Sequence, residues 1–322
     1  MGILKDLLLW LYWYPFRSFV GSIPVSCSYK IARVLSAVYY SLSRGKRRQL
    51  EQEYDEVFGG IVTDKNAKAV VKRTFGMMLQ SDLEVLLFPR MNRENIGSFI
   101  RYQGMDHLDT ALAAGKGVML LFAHFGANQM VMPAVGYKGY TMSQLSAPPT
   151  VWVEKMPNKK FSPMGKKALE IRWAHDLSLP VRHINIFGSL KPAFAALKNN
   201  EVLGVAIDGG GGKKRTEVEF LGRTALFPTG AVELAMRTGC VVLPVFMIRS
   251  EEGHSTMLID RPLEIEPGDD PSTIGRNVAR FIARFEPYVL TYPCHYLAFL
   301  GLRRFMKEQG DIPFLLTEGR NV

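Results

Sequence analysis

Val118-Met119-Leu120-Leu121-Phe122-Ala123-His124-Phe125-Gly126-Ala127-Asn128-Gln129 decides how this chain is read. Five apolar residues in a row, bounded by glycine before and by a Phe-Gly turn after, describe a strand buried on both faces, as in a parallel sheet. Such a strand delivers its last residue to the carboxyl edge of the sheet, where open α/β folds place their chemistry. Here that residue is His124, whose imidazole is suited to taking a proton near neutral pH. Taken alone, the histidine reads equally as a core residue with one satisfied hydrogen bond.

A second apolar run, 202–207, ends in the same way on Asp208. If the two strands run parallel, His124 and Asp208 lie at one edge of the sheet. After Asp208 come Gly209, Gly210, Gly211 and Gly212, then Lys213, Lys214 and Arg215. Glycines permit close backbone approach and the three cations favour a phosphate or sulfate group, although a surface loop with solvated charges has the same composition. The run is not a phosphate-binding P-loop, because no Ser or Thr follows the lysine. Further on, Phe220-Leu221-Gly222-Arg223-Thr224-Ala225 leads into Phe227-Pro228-Thr229-Gly230. Thr229 suits a helix N-cap, and the N–H groups near Gly230 could hold an oxyanion or phosphate.

Around these landmarks the chain alternates. Strands are expected at Val118–Phe122, 140–145, 179–184, 202–207, 241–248 and 256–259, and helices near 64–88, 129–135, 163–174, 189–198, 229–237 and 272–290. This pattern predicts an α/β fold with a mainly parallel sheet and helices on both faces. The short link Ser250-Glu251-Glu252-Gly253 makes the last strand antiparallel and the sheet mixed.

The chain has 322 residues, 47% of them hydrophobic and 22% charged, with a net charge of +10 and a pI of about 9.5. That length suits one large domain with an appendage. The positive balance points to an anionic partner. No nucleic-acid module is present, which leaves anionic lipid or an acidic carrier protein. Cys27, Cys240 and Cys294 are too dispersed for a metal site or a disulfide framework. The remaining histidines share no spacing, and neither a Gly-x-Ser-x-Gly elbow nor a zinc signature occurs.

The N-terminus carries a different signal. Leu7 to Tyr14 is apolar and aromatic throughout, but Pro15 and Arg17 cut it short of the ~20 residues that a spanning helix needs. Ile31, Val34, Leu35, Val38 and Leu42 then recur at helical spacing, followed by Arg44, Lys46, Arg47 and Arg48. Residues 1–48 read as a membrane-associated helical segment, monotopic or peripheral, with its basic residues toward anionic lipid. The alternative is a helical hairpin packed on the protein's own core. Residues 49–322 form the catalytic domain in this reading.

The ordered motifs resemble those of the bacterial lipid A biosynthesis (late) acyltransferases, within the glycerolipid acyltransferase superfamily. They are a strand into His-Phe-Gly, a strand into Asp-Gly, Phe-Leu-Gly-Arg-Thr-Ala-x-x-Pro-Thr-Gly, Thr-Gly-Cys-Val-Val-Leu-Pro-Val-Phe-x-x-Arg, and Tyr-Pro-x-x-Tyr-Leu. The likeness runs from Tyr102 to Leu297. It implies transfer of a fatty acyl group from acyl carrier protein or acyl-CoA to a hydroxyl of a membrane lipid or glycolipid, at the cytoplasmic face of the inner membrane. No cofactor or metal is implied, since the thioester is already activated. In that family His-x-x-x-x-Asp/Glu is catalytic, so His124 is implied as the base and Gln129 occupies its partner position.

Glutamine orients a ring but brings no charge. Three readings stay open: Asp208 supplies the carboxylate, a neutral His124–Gln129 pair works alone, or the chain is a silent lipid-binding relative. Gly209, Gly210, Lys213, Lys214, Arg215, Arg223, Thr229 and Gly230 are the candidate substrate-binding residues. Ser146-Ala147-Pro148-Pro149 stands where the lipid A enzymes carry Tyr-Arg-Pro-x-x-Asn. The missing arginine argues for an acceptor other than lipid A.

Overall fold

The structure is a computed structural model and describes residues 2–62, 66–155, 161–209, 214–304 and 315. Its strands are β1 (Ile100–Gln103), β2 (Val118–Phe122), β3 (Met142–Ser146), β4 (Arg182–Asn185), β5 (Val202–Ala206), β6 (Arg215–Phe220), β7 (Arg223–Pro228), β8 (Val241–Arg249) and β9 (Ser255–Ile259). Seven of them form one sheet in the order β1-β9-β8-β2-β5-β3-β4, in which only β8 and β9 pair antiparallel. The sheet is thus mixed and mainly parallel, as the alternation predicts.

The helices, in chain order, are α1 (Gly2–Leu11), α2 (Arg17–Ser22), α3 (Val25–Leu42), α4 (Arg44–Phe58), α5 (Ala67–Leu87), α6 (Ile96–Phe99), α7 (Met105–Ala113), α8 (Val131–Gly136), α9 (Val151–Lys155), α10 (Pro163–Asp176), α11 (Lys191–Lys198), α12 (Gly230–Thr238), α13 (Pro271–Thr291) and α14 (Leu297–Leu300).

Strand β2 shows why the apolar run is continuous. Met119, Leu121 and Ala123 enter a core shared with Ala193 and Leu197 of α11, Val232 and Leu234 of α12, and Phe281 and Phe285 of α13. Val118, Leu120 and Phe122 enter a second core with Leu108 of α7 and Val131 and Val135 of α8. Alternate side chains therefore serve opposite faces of the sheet, and both faces are dry. Local signals set the helix starts: Asp270 accepts the Thr273 N–H at α13, Ser162 accepts the Gly165 N–H at α10, and each has proline at the next position.

Two elements were not foreseen. The sequence pattern assigns no strand around residues 220–223, yet β6 and β7 form a separate antiparallel hairpin. Its two-residue turn is Leu221-Gly222, both with positive φ (54° and 65°), the geometry that matches strand twist. Leucine is unfavourable there, and its N–H is held by the Glu286 carboxylate at 2.7 Å. Strand β1 also escaped notice, because only four residues carry it.

The N-terminal helices rest on the domain through small residues. Ser28, Ala32 and Ser36, four apart on α3, are the buried ones, and α5 lies against this helix. Val34, Leu35, Val38 and Leu42 face outward. Pro15 does not end the first helix: Tyr12–Phe16 forms one wider π-turn that joins α1 to α2, which accommodates the N–H that proline lacks. Helix α4 runs unbroken across residue 48. Among the described residues, no helix is long and apolar enough to cross a membrane.

Candidate active site

Strands β2 and β5 are neighbours in parallel register, with Phe122 opposite Ala206. Two residues past each of these stand His124 and Asp208. Asp208 is buried, and its side chain is fully enclosed. Its Oδ1 lies 2.7 Å from His124 Nδ1, and its Oδ2 accepts the His124 backbone N–H at 2.8 Å. Tyr296 also donates its hydroxyl to Oδ2, at 2.8 Å. One carboxylate thus holds the imidazole, the backbone that carries it, and a phenol.

The turn after His124 depends on Gly126. Its φ is +61°, and a Cβ there would stand 1.8 Å from the Met247 carbonyl oxygen. Its N–H donates to the His295 carbonyl at 2.9 Å. The Phe299 ring stacks on the imidazole at 4.7 Å, nearly parallel. The His124 side chain is still 40% exposed, and it opens on a cleft of about 430 Å³.

Burial pushes the His124 imidazolium down, but the charge of Asp208 and its hydrogen bond outweigh that effect and raise the pKa above the ordinary value. Burial and the same carboxylate push the Tyr296 phenol well above its usual range, so it stays a proton donor.

Gln129 lies elsewhere on the cleft wall. Its amide Nε2 donates to the Ser81 carbonyl, and its Oε1 accepts from Arg172 Nη2 at 3.2 Å. Arg172 also reaches Asp176 at 3.4 Å. Burial raises the Asp176 pKa and Arg172 pulls it back. A cation therefore enters the cleft from α10, although none follows β3.

The candidate binding residues fall into three groups. Gly209 and Gly230 line the cleft. Gly210 and Lys213 lie outside the described residues. The rest have other partners. Lys214 is exposed, approaches Glu233 at 3.7 Å and accepts the Thr229 N–H on its carbonyl. Arg215 is the first residue of β6, opposite Pro228, rather than part of a free loop. Arg223 donates to the Glu56 carbonyl near the end of α4. Thr229 occupies the N-cap position of α12 but does not cap it, because its hydroxyl donates to the Glu233 carboxylate at 2.7 Å.

Arg172, Tyr296 and Phe299 were not singled out by sequence. Tyr296 belongs to the Tyr-Pro-x-x-Tyr-Leu stretch, whose residue types alone assign it no chemistry. Among the described residues, no group of three His, Cys, Asp or Glu is placed to hold a metal ion.

An imidazole braced by a buried carboxylate, at the carboxyl edge of a mainly parallel sheet, is an arrangement that takes a proton from a hydroxyl. The profile of the bacterial lipid A biosynthesis acyltransferases matches residues 2–305, and the chain belongs to that family. It is similar to a phosphatidylinositol mannoside acyltransferase of Mycobacterium tuberculosis, 28% identical over 167 residues, which are 50% of this chain and 48% of the relative. The chain thus spans about half the length of that relative. A phosphatidylinositol mannoside acyltransferase of Mycolicibacterium smegmatis is 23% identical over 258 residues, covering 79% of this chain and 78% of the relative. Among solved structures, a 1-acyl-sn-glycerophosphate acyltransferase from Thermotoga maritima aligns over 90% of this chain and 99% of its own, with 14% identity and a TM-score of 0.34.

Proposed function

We propose that this protein transfers a fatty acyl group from a thioester, carried by acyl carrier protein or coenzyme A, to a hydroxyl of a membrane glycolipid. The observation that carries the proposal is the contact between His124 and Asp208. With Nδ1–H donated to Asp208, Nε2 is the atom left to take a proton. The acceptor oxygen attacks the thioester carbonyl as Nε2 removes its proton. Collapse of the tetrahedral intermediate then releases the thiol, which leaves with that proton. Asp208 fixes the tautomer and offsets the charge of the imidazolium. The N–H groups of the first turn of α12, beside Gly230 on the cleft wall, would meet the oxyanion. The glycines and lysines after Asp208 would meet the anionic part of a substrate, either phosphopantetheine or a headgroup.

A glycolipid acceptor rests on the names of the mycobacterial relatives and on the absence of an arginine after β3. A role in lipid A synthesis itself is the weaker form of the proposal. The enzyme would work at the cytoplasmic face of the inner membrane, seated on lipid by residues 1–48. Support comes from exposure: among the described residues, 12 of the 18 large hydrophobic side chains that stand exposed, from Ile3 to Leu42, lie there. Arg44, Lys46, Arg47 and Arg48 follow and suit anionic headgroups.

The test is thioester consumption by the purified protein, with acyl carrier protein and coenzyme A donors and a panel of lysophospholipid and glycolipid acceptors. Acceptor-dependent release of thiol that His124→Ala abolishes is the expected result. Lipid binding without any turnover would establish a silent relative instead.

A further inference from the structure

We propose that Tyr296 is a positioning residue that tunes the His124–Asp208 pair, a role that rests on the acyl-transfer reading above. Its hydroxyl occupies Oδ2 of the carboxylate, so Oδ1 is left to the imidazole. Rotation of the carboxylate would break three hydrogen bonds together, to the imidazole Nδ1, the His124 backbone N–H and the phenol. The phenol is placed firmly enough to do this. Tyr296 is fully buried, its ring meeting Phe285 edge-on at 5.1 Å and Phe220 at 6.1 Å.

The neighbours of Tyr296 hold the other half of the pair. The His295 carbonyl accepts the Gly126 N–H, and the His295 ring stacks on Phe125 at 5.0 Å. Phe299, one helical turn on, covers a face of His124. Five consecutive residues, 295–299, thereby grip the ends of both β2 and β5.

The electrostatic consequence follows from a shared charge. A carboxylate that also serves a phenol offers less negative charge to an imidazolium than one that does not. Tyr296 therefore tempers the basicity that Asp208 imposes, and keeps a larger share of His124 in the free-base form near neutral pH. Other titratable and charged groups stand around the pair among the described residues. Cys294 and His295 stand on the same turn, where His295 Nε2 is occupied by the Arg249 N–H at 2.9 Å and Nδ1 lies 3.3 Å from Cys294 Sγ. Arg172, Asp176 and His183 line the cleft. Glu286, from α13, is engaged by Leu221.

The experiment replaces one hydrogen atom's worth of interaction in two directions. Tyr296→Phe keeps the ring and removes the donor. Site-specific 3-fluorotyrosine at 296 keeps the shape and strengthens the donor. Two readouts are taken: the ascending limb of the pH profile of kcat/KM, and the ring-nitrogen NMR titration of His124, assigned by its loss in His124→Gln. The expected result is a shift of both toward higher pH in Tyr296→Phe, by about one pH unit or somewhat less. The fluorinated protein should move the other way. A role in packing alone would lower turnover at every pH and leave both midpoints in place, and that outcome overturns the proposal. So does movement in the reverse direction. If Tyr296→Phe does not fold, the fluorinated protein carries the same test. Because the NMR titration needs no turnover, a shifted titration in a protein that consumes no thioester would keep the role of Tyr296 and remove the acyl-transfer reading instead.

Discussion

His124 and Asp208 stand at the same height, each two residues past a register-paired position on neighbouring parallel strands, and their side chains meet at 2.7 Å. The carboxylate of the pair is 84 residues away in sequence, whereas the family motif places an acid five residues on, at Gln129. Substitutions at the two positions should therefore differ in kind. Asp208→Asn leaves the shape intact but removes the charge that stabilises the imidazolium. It is expected to lower kcat on the order of 10³- to 10⁴-fold, by analogy with the loss of the orienting acid in serine proteases. Gln129→Ala removes the hydrogen bonds to Ser81 and Arg172, and should stay within about tenfold of the parent. Steady-state kinetics of both variants beside His124→Ala decides the matter; the reverse order would return the partner role to Gln129.

The pH dependence is the second prediction. Burial disfavours the His124 imidazolium and Asp208 more than compensates, so the folded pKa is above the ordinary 6.5. In the proposed mechanism the base works unprotonated, so kcat/KM should rise with pH through that raised value. In Asp208→Asn, burial acts unopposed and the limb should move to acid pH, even as the rate falls. Stability follows the same linkage. A pKa raised in the folded state contributes stability that is present below the unfolded value and is lost as pH climbs through the folded one. Thermal melts of the parent against Asp208→Asn should accordingly differ most on the acid side of that window, and converge above it. Curves separated by the same amount at all pH values would disconnect the pair from the titration.

Gly126 yields a stability prediction. Any Cβ at this position meets a backbone carbonyl, not a side chain that can swing away, and the φ of +61° is itself unfavourable for alanine. Gly126→Ala should cost about 2–4 kcal/mol, seen as a fall in the denaturation midpoint, and should displace His124 so that turnover drops beyond the loss of folded protein. Gly230→Ala makes a control at the same cleft, because nothing stands within 4 Å of its Cβ site. Equal melting temperatures for Gly126→Ala and the parent would contradict the close approach to Met247.

How far sequence reached into this molecule depends on what kind of contact was being read. Strand β2 was legible to the residue, because two-sided burial leaves an unbroken apolar run that nothing polar can interrupt. The meeting of His124 with Asp208 was legible as a shared edge, since parallel neighbours must end on the same side. The hairpin of β6 and β7 was not: its turn uses Leu221 at a positive φ, where the usual asparagine or glycine signal is absent. Tyr296 and Arg172 were invisible for another reason. Arg172 reaches the cleft, and Tyr296 the buried Asp208 carboxylate, from helix-bearing segments far along the chain, and no local periodicity records which way such a side chain points. Arg223 shows the converse, a cation conspicuous in a motif whose partner is the carbonyl of Glu56.

Helix α3 supports the last prediction, because it is turned inside out relative to an ordinary surface helix. Its small residues Ser28, Ala32 and Ser36 are buried against the domain, and Val34, Leu35, Val38 and Leu42 stand 64%, 37%, 49% and 77% exposed. Water is a costly environment for such a stripe, and a lipid interface is a favourable one. Replacing Val34, Val38 and Leu42 together by Ser should leave the melting temperature nearly unchanged, since these side chains touch solvent already. The same change should weaken binding to anionic vesicles on the order of 100-fold, if each side chain gives up about 1 kcal/mol of burial in the interface. Neutralising Arg44, Lys46, Arg47 and Arg48 should act differently, weakening binding at low salt and much less at high salt, because screening removes that attraction and leaves the apolar one. Ala32→Leu is the complementary test. It forces bulk between α3 and α5, and should lower stability while leaving the outward-facing apolar stripe unaltered. Vesicle flotation at two salt concentrations, paired with thermal melts, separates the three; undiminished flotation of the triple serine variant would mean that the protein meets the membrane through some other surface.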